Sequence, residues 1–348
     1  MISVLHLVGS AVDEFHAELS RIYAGACLDA LADPALYDVH LAYVSPDGSW
    51  RFPSGLGVRA RSGAPGLSAP EAIARIASLG IDVVVPQMFC LPGMTTYRAL
   101  FDGLGIPYLG NRPEVMAVAA DKAKTRAIVA AAGVAVPAGE VLRAGDRSRL
   151  PFPVVVKPVD ADNSVGVALA RDTAECEAAV TSALTHSEAA IVESYVKLGR
   201  EVRCGIVVRN GELVCLPLEE YAVDTRTKPI RDRNDKLARG DDGDLYLVAK
   251  DPTRAWLVLD DASLTERVWQ AARRCHVALG CRHYSLFDFR IDPDGQPWFL
   301  EAGLYCSFAP TSVLAVMAAG LGLDVADLFA MGLAELSREG APCFSSAH

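Results

Sequence analysis

Two carboxylates near the end of the chain stand where they could do chemistry. Asp288 and Glu301 lie in consecutive apolar runs, 284–291 and 297–302, separated by Asp294-Gly295. An Asp-Gly pair between such runs favours a two-residue type I′ turn, because both residues tolerate positive φ. That turn pairs Pro293 with Gln296 and sets Phe287 against Ala302, Phe289 against Leu300 and Ile291 against Trp298. It also puts Asp288 opposite Glu301. Opposed residues on one sheet face have Cβ atoms roughly 5 Å apart, where like charges repel. A cation between them removes the conflict, and oxygen ligands suit Mg2+ held together with substrate phosphates. Two solvated carboxylates on an open sheet face are the alternative.

Basic residues offer a place for phosphate. Lys157 ends the run Val154-Val155-Val156, the pattern of a buried strand, and such a strand rarely ends in lysine without an anionic partner. The small-residue turn that follows, 160–166 with Ser164 in it, exposes backbone N–H groups able to cover phosphate oxygens. It is not a G-x-x-x-x-G-K-[ST] loop. Lys122 follows Asp121, which is placed to cap a helix that Gly133 stops. A solvated lysine on an amphipathic helix is the alternative there. Arg282, His283 and Arg290 are near the acids in sequence, and Arg290 shares the face of Asp288, with which it could simply pair. The polar stretch 224–250, which contains Lys228 and Lys236, is a long loop of the functional or disordered kind.

These residues need elements to hold them. Over 1–112, strands at 4–8, 39–44 and 81–86 alternate with helices at 14–32, 69–79 and 94–104, which predicts an α/β unit with a doubly wound parallel sheet. No G-x-G-x-x-G follows the first strand, so a dinucleotide is not expected. Ligands of such sheets lie at the carboxyl ends of the strands. Here those ends are 9–18 and 86–97, which bring Glu18 and Met88 to a cleft. A linker at 106–113 opens a second unit. Further on, Asp172 and Glu175 form a capping box for a helix to about 184, and 190–196 reads as a strand. Asn210-Gly211 marks a hairpin, and helices are expected over 263–279, 311–319 and 325–336.

The chain of 348 residues suits two or three α/β units, and 51% hydrophobic content is ample for their cores. A net charge of −10 argues against nucleic acid or an anionic membrane as the main partner. Residues 1–8 lack a basic n-region and read as a strand rather than a signal peptide, and no apolar run reaches about 18 residues. Nine cysteines without a C-x-x-C pair suit reduced thiols in the cytoplasm.

From 121 to 312 most strongly, and over 1–336 in all, the chain resembles the D-alanine–D-alanine ligase family of the ATP-grasp superfamily. The family pattern runs Arg-x-Asp, a hairpin, Glu-x-Asn, and a serine eleven residues past the glutamate. Asp288, Glu301 and Ser312 match it, while Leu286 stands for the arginine and Gly303 for the asparagine. The resemblance implies a three-domain ATP-grasp fold divided at 1–112, 113–198 and 199–348, with ATP and Mg2+ bound, Asp288 and Glu301 on the metal, and a homodimer through the first domain. It implies Lys122, Lys157 and the Ser164 turn on phosphates, Glu193, Val196 and Glu201 on adenine and ribose, and Lys228 or Lys236 on the γ-phosphate. Glu18, Met88 and Ser312 then face the substrates. The loop 87–95, Gln-Met-Phe-Cys-Leu-Pro-Gly-Met-Thr, departs from the family's His-Gly-x-x-Gly-Glu-Asp-Gly, which makes D-alanine an unexpected substrate.

Such enzymes phosphorylate a carboxylate with ATP, and an amine then attacks the acyl phosphate. The family arginine stabilises the oxyanion of the second step, and losing such a donor costs on the order of 10²–10³ in rate. A working ligase therefore needs a substitute, for which Arg282, His283 and Arg290 are the candidates. A nucleotide-binding homologue that has lost catalysis, and an enzyme closing one amino acid into a lactam, are the competing readings.

Overall fold

The computed structural model describes residues 1–161, 165–224, 229–230 and 253–340, together with the backbone of 237–239 and 245–247. Its first sheet is built from β1 (Ile2–Gly9), β2 (Tyr37–Val44), β3 (Trp50–Arg51) and β4 (Val83–Pro86), in the order β3-β2-β1-β4. β2 and β4 run parallel to β1, and the short β3 is antiparallel at the edge. α1 (Glu14–Ala30), α2 (Val58–Gly63), α3 (Ala69–Ser78), α4 (Leu91–Met94) and α5 (Thr96–Leu104) connect the strands. Where β1 gives way to the loop before α1, Gly9 has φ +106°, and a Cβ there would stand 2.0 Å from the Val44 carbonyl oxygen. Only glycine fits this close approach. Asp13 then caps α1 by accepting from the His16 backbone N–H.

α6 (Pro113–Ala120) and α7 (Lys122–Ala131) lead to a second sheet of β5 (Gly139–Leu142), β6 (Val154–Pro158), β7 (Ala168–Ala170) and β8 (Ala190–Ser194), with α8 (Thr173–Ala183) between β7 and β8. Its order is β5-β8-β6-β7, every neighbour antiparallel. One face is covered by α8 through Cys176, Ala179 and Val180. Asp172 caps α8 as the capping-box spacing predicts.

The third sheet contains β9 (Arg200–Arg209), β10 (Glu212–Cys215) and β11 (Glu219–Tyr221), and after a separate two-stranded pair, β12 (Leu237–Arg239) with β13 (Leu245–Leu247), it takes up β14 (Ala255–Leu257). α9 (Ala262–Leu279) precedes its last strands, β15 (Tyr284–Ile291) and β16 (Pro297–Gly303), and α10 (Val313–Ala319) and α11 (Val325–Arg338) follow. The order is β14-β11-β9-β15-β16, with β10 paired to β9 through the Asn210-Gly211 turn. Both turn residues have positive φ, as a type I′ hairpin requires. Phe287, Phe289, Ile291 and Phe299 face α9 and bury against Val268, Ala272 and Cys275. The opposite face carries Leu286, Asp288 and Arg290, because side chains alternate along a strand.

The last hairpin differs from expectation in its turn. Asp292 accepts from the Gly295 N–H at 2.9 Å and donates to the Gln296 carbonyl at 3.1 Å, and Gly295 has φ +81°. The loop is thus three residues, 293–295, with the glycine in the left-handed position that such loops use. Phe289 accordingly pairs with Phe299 and Ile291 with Pro297, not with Leu300 and Trp298. A bulge at Leu300 then restores the earlier register, so that Asp288 still pairs with Glu301 and Phe287 with Ala302.

The first and third sheets are tied by buried polar contacts. The Asn111 amide donates to the carbonyls of Tyr284 at 3.0 Å and Leu304 at 2.8 Å. His283 Nδ1 accepts from the Gly110 N–H at 2.9 Å, and Arg282 Nε donates to the Gly110 carbonyl at 2.7 Å. Glu339 closes the joint, 2.6 Å from Arg282 Nη1 and 3.4 Å from His283 Nε2. The His283 contact and the Arg282 charge pull the Glu339 carboxyl from 4.5 down to about 2. A carboxyl whose folded pKa is depressed contributes its full share above its unfolded pKa and loses it as pH falls through the folded one. The joint should therefore weaken between pH 4.5 and about 2, and Glu339→Gln should flatten the melting-temperature profile over that window.

Candidate functional site

A cavity of about 1480 Å³ opens between the first and third sheets, and a narrower slot of about 80 Å³ lies between the second and third. Asp288 and Glu301 line both, so the opposed carboxylates stand where slot and cavity meet. They get there through the alternation of β15 and β16, which sends Phe287 and Phe289 to the core and Asp288 to the opposite face.

Asp288 is not left to face Glu301 alone. β9 pairs with β15 so that Arg203 lies directly opposite Asp288. Its guanidinium holds the carboxylate in a two-pronged pair, Nε to Oδ1 at 2.5 Å and Nη2 to Oδ2 at 3.0 Å. Both side chains are 12% exposed, and the guanidinium carbon lies 5.4 Å from the centre of the Tyr221 ring. Burial works against the charge on Arg203, but the Asp288 carboxylate outweighs it and holds the pKa well above the ordinary arginine value. Arg203 also lines the cavity, and sequence reasoning passed over it. The alternation Glu201-Val202-Arg203-Cys204 marks Arg203 as a strand residue on the same face as Glu201. Its partner is 85 positions away, and only strand pairing reveals it.

The slot is walled by the apolar side chains of Val155, Val167, Ile230 and Leu300, with charged residues at its ends. Lys157, on β6, donates to Glu193 on β8 at 2.6 Å, which supplies the anionic partner its position demands. Arg126 Nε is 3.4 Å from the same carboxylate. Glu201 pairs with Arg290 at 2.7 Å, and Arg290 also donates to the carbonyls of Val196 at 3.3 Å and Pro229 at 2.8 Å. Arg290 therefore pairs with Glu201 rather than Asp288 and belongs to the slot. Its buried Nε has no hydrogen-bond partner among the described residues.

Around the cavity, Lys122 lines the wall and donates to the Ala161 carbonyl. Ser312 lines it too, at the start of α10, where its hydroxyl accepts from the Ala315 N–H at 3.4 Å. Four expected residues are not brought to it. Glu18 is not among the residues lining the cavity, although its neighbour Leu19 is, and Met88 is fully buried in the core of the first sheet, leaving Phe89 and Cys90 on the wall. Arg282 and His283 serve the joint with Gly110 and Glu339. The physical reason is distance along the strand: Arg282 and His283 lie in a tight turn before β15, and four strand residues at roughly 3.3 Å each put its first residue, Tyr284, about 13 Å from Asp288. Ser164, Lys228 and Lys236 lie outside the described residues.

Among the described residues no group of three or more histidines, cysteines or acids gathers as a metal cage, and no helix is long and apolar enough to cross a membrane. A pair of carboxylates without a third acid suits a hard cation that takes its remaining ligands from water and phosphate oxygens.

The family described as the D-ala D-ala ligase C-terminus matches residues 139–333. A D-alanine–D-alanine ligase of Citrifermentans bemidjiense is 31% identical over 235 residues, covering 66% of this chain and 70% of that protein. One from Mycolicibacterium smegmatis is 29% identical over 344 residues, covering 90% of each. Among solved structures, a D-Ala:D-Ser ligase of Enterococcus faecalis superposes with a TM-score of 0.77 at 19% identity, over 96% of this chain and 99% of the other. A D-alanine–D-alanine ligase of Bacillus anthracis complexed with ATP gives 0.71 at 19%, over 97% and 98%. At that identity the superpositions speak for the fold.

Proposed function

The chain belongs to the D-alanine–D-alanine ligase family, ATP-grasp carboxylate–amine ligases, and on that premise we propose that it uses ATP to join an amino-acid-like carboxylate to an amine through an acyl phosphate. The observation that carries this reading is the placement of Asp288 and Glu301, opposed across the β15–β16 ladder where slot meets cavity. The apolar slot is where a nucleotide base would lie, with Lys157, Glu193, Glu201 and Val196 around it. The cavity beyond takes the molecules to be joined, and the phosphates lie at the carboxylates between.

Mg2+ held by Asp288 and Glu301 would neutralise the phosphate oxygens and fix their geometry. The chain's own groups do the rest by position and charge, since phosphoryl transfer needs no nucleophile from the protein. Lys122, held at the Ala161 carbonyl, brings positive charge to the phosphates, and Lys157 does so from the slot. A substrate carboxylate oxygen attacks the γ-phosphorus as the bond to ADP breaks. The amine nitrogen then attacks the acyl carbon, and phosphate leaves. Arg203 lines the cavity in direct contact with Asp288, and its Nη1 makes no hydrogen bond among the described residues. It is therefore placed to meet negative charge developing on the acyl oxygen, as the family arginine would from position 286. The replacement of the family's second-loop pattern by Phe89, Cys90 and Leu91 on the cavity wall supports a substrate other than D-alanine.

A second reading has one observation in its favour. Both oxygens of Asp288 are engaged by Arg203, an arrangement that would also suit a nucleotide-binding homologue without turnover. ADP release measured across a broad panel of amino acids and amines, with product masses, separates the two. Substrate-stimulated ADP release with a product lighter than its parts by one water supports the ligase, and little or no D-alanyl-D-alanine is expected from D-alanine alone. ATP binding without stimulated release over the whole panel supports the silent homologue.

A further inference from the structure

The part of the cavity wall that comes from the first sheet is apolar and aromatic. Phe15, Leu19 and Tyr23 along α1 meet Phe89 from the loop after β4 and Tyr305 beyond β16, and these residues form a packed cluster of their own. The Phe89 ring lies 5.4 Å from that of Tyr23 and 5.3 Å from that of Tyr305. Val12 and Leu91, also on the wall, are 53% and 49% exposed, so apolar surface stands open inside a cavity. The charged groups of this part, Asp13 and His16, are 2.8 Å apart and satisfy one another, while Asp13 also caps α1. Among the described residues, nothing else charged lines it.

A small side chain would leave this largely apolar surface wet, and a charged one would lose its water against it. A bulky apolar one removes that surface from water, the dominant favourable term in binding. The wall is also within reach of the reacting groups. From Glu301 to Tyr305 the chain spans at most about 14 Å, so a molecule seated against Tyr305 can present its other end to the carboxylates.

Resting on the ligase reading, we propose that one of the two molecules joined carries a bulky apolar or aromatic side chain. It is seated between α1, Phe89 and Tyr305, with its reacting end toward Asp288 and Glu301. The class is an amino acid of the leucine or phenylalanine type. Because each buried methylene discriminates roughly 10–200-fold, such a substrate should exceed alanine by about 10²-fold or more in kcat/KM.

The test supplies alanine, leucine, phenylalanine and glutamate in both hands, singly and in pairs, with ATP and Mg2+, and follows ADP release and product mass. In parallel, calorimetry measures binding of each amino acid in the presence of a non-hydrolysable ATP analogue and Mg2+. Leucine or phenylalanine of one hand should be preferred over alanine and glutamate in both measurements. Leu91→Lys, at an exposed position, should reduce that preference at least tenfold, with nucleotide affinity as the check that the protein is folded. Alanine or glutamate turned over as well as the bulky substrates would overturn the inference while leaving the ligase reading intact. If nothing turns over, the ligase reading is left to the broad panel of amino acids and amines, and calorimetry decides the pocket alone: tighter binding of the bulky side chains supports it, and equal binding overturns it.

Discussion

Glu301→Gln should lower amide formation by about 10²–10³-fold while changing the melting temperature little. The magnitude is that of removing one preorganised electrostatic group from a transition state in phosphoryl or acyl transfer. Glutamine keeps the shape and the hydrogen-bonding oxygen of the side chain but not its charge. Glu301 is partly exposed at the junction of slot and cavity, so the substitution should cost less stability than one in the buried Arg203–Asp288 pair. The Mg2+ concentration for half-maximal rate should rise as well, by about tenfold or more, since even groups behind metal ligands are worth 10–100-fold in affinity. Kinetics over a Mg2+ titration, beside a thermal melt, checks both. A variant with wild-type kcat at ordinary Mg2+ would remove Glu301 from the site.

Arg203→Ala should have the larger effect on stability. Breaking a buried ion pair from one side costs about 3–5 kcal/mol, because the remaining charge stays buried without compensation. The Arg203 and Asp288 side chains are both 12% exposed, well inside the regime where that cost applies. Arg203→Lys restores the charge but not the two-pronged geometry, so it should recover part of the loss. Mg2+ gives the prediction its sign. In the wild-type protein a bound cation would share Asp288 with an arginine that already neutralises it, whereas in Arg203→Ala it would replace the missing charge. Added Mg2+ should therefore raise the melting temperature of Arg203→Ala more than that of the wild type. An equal shift in both proteins would mean that the metal does not contact Asp288.

The opposition of Asp288 and Glu301 was legible in the sequence, though by a route that the structure corrects. The Asp-Gly signal located the reversal, but the loop is one residue longer than a type I′ turn, and the Leu300 bulge takes up the difference. Without the bulge Glu301 would face the other side of the sheet, since a one-residue slip inverts every side chain. Nothing local to 297–302 announces the bulge. Lys157 and Glu193 were each visible as charged residues on apolar strands, but their contact depends on how β6 and β8 pair. Arg203 escaped for the same reason. Arg282 and His283 were chosen by closeness in sequence, but they precede β15, whose first half separates them from Asp288. Met88 and Glu18 sit in the segments expected to line the cleft, and the neighbouring residue of each faces the cavity. Locating a loop fixes which segment reaches a site more readily than which of its side chains does.

The central claim is that a substrate carboxylate attacks the γ-phosphorus held between slot and cavity. Isotope transfer tests it most directly. The carboxylate substrate identified by the screen, labelled with ¹⁸O in both oxygens, is turned over with ATP and the amine, and the released phosphate is analysed by mass. The account predicts one labelled oxygen in each inorganic phosphate, in step with each amide bond formed, and none in ADP. Label in AMP, or amide formation with unlabelled phosphate, would contradict it.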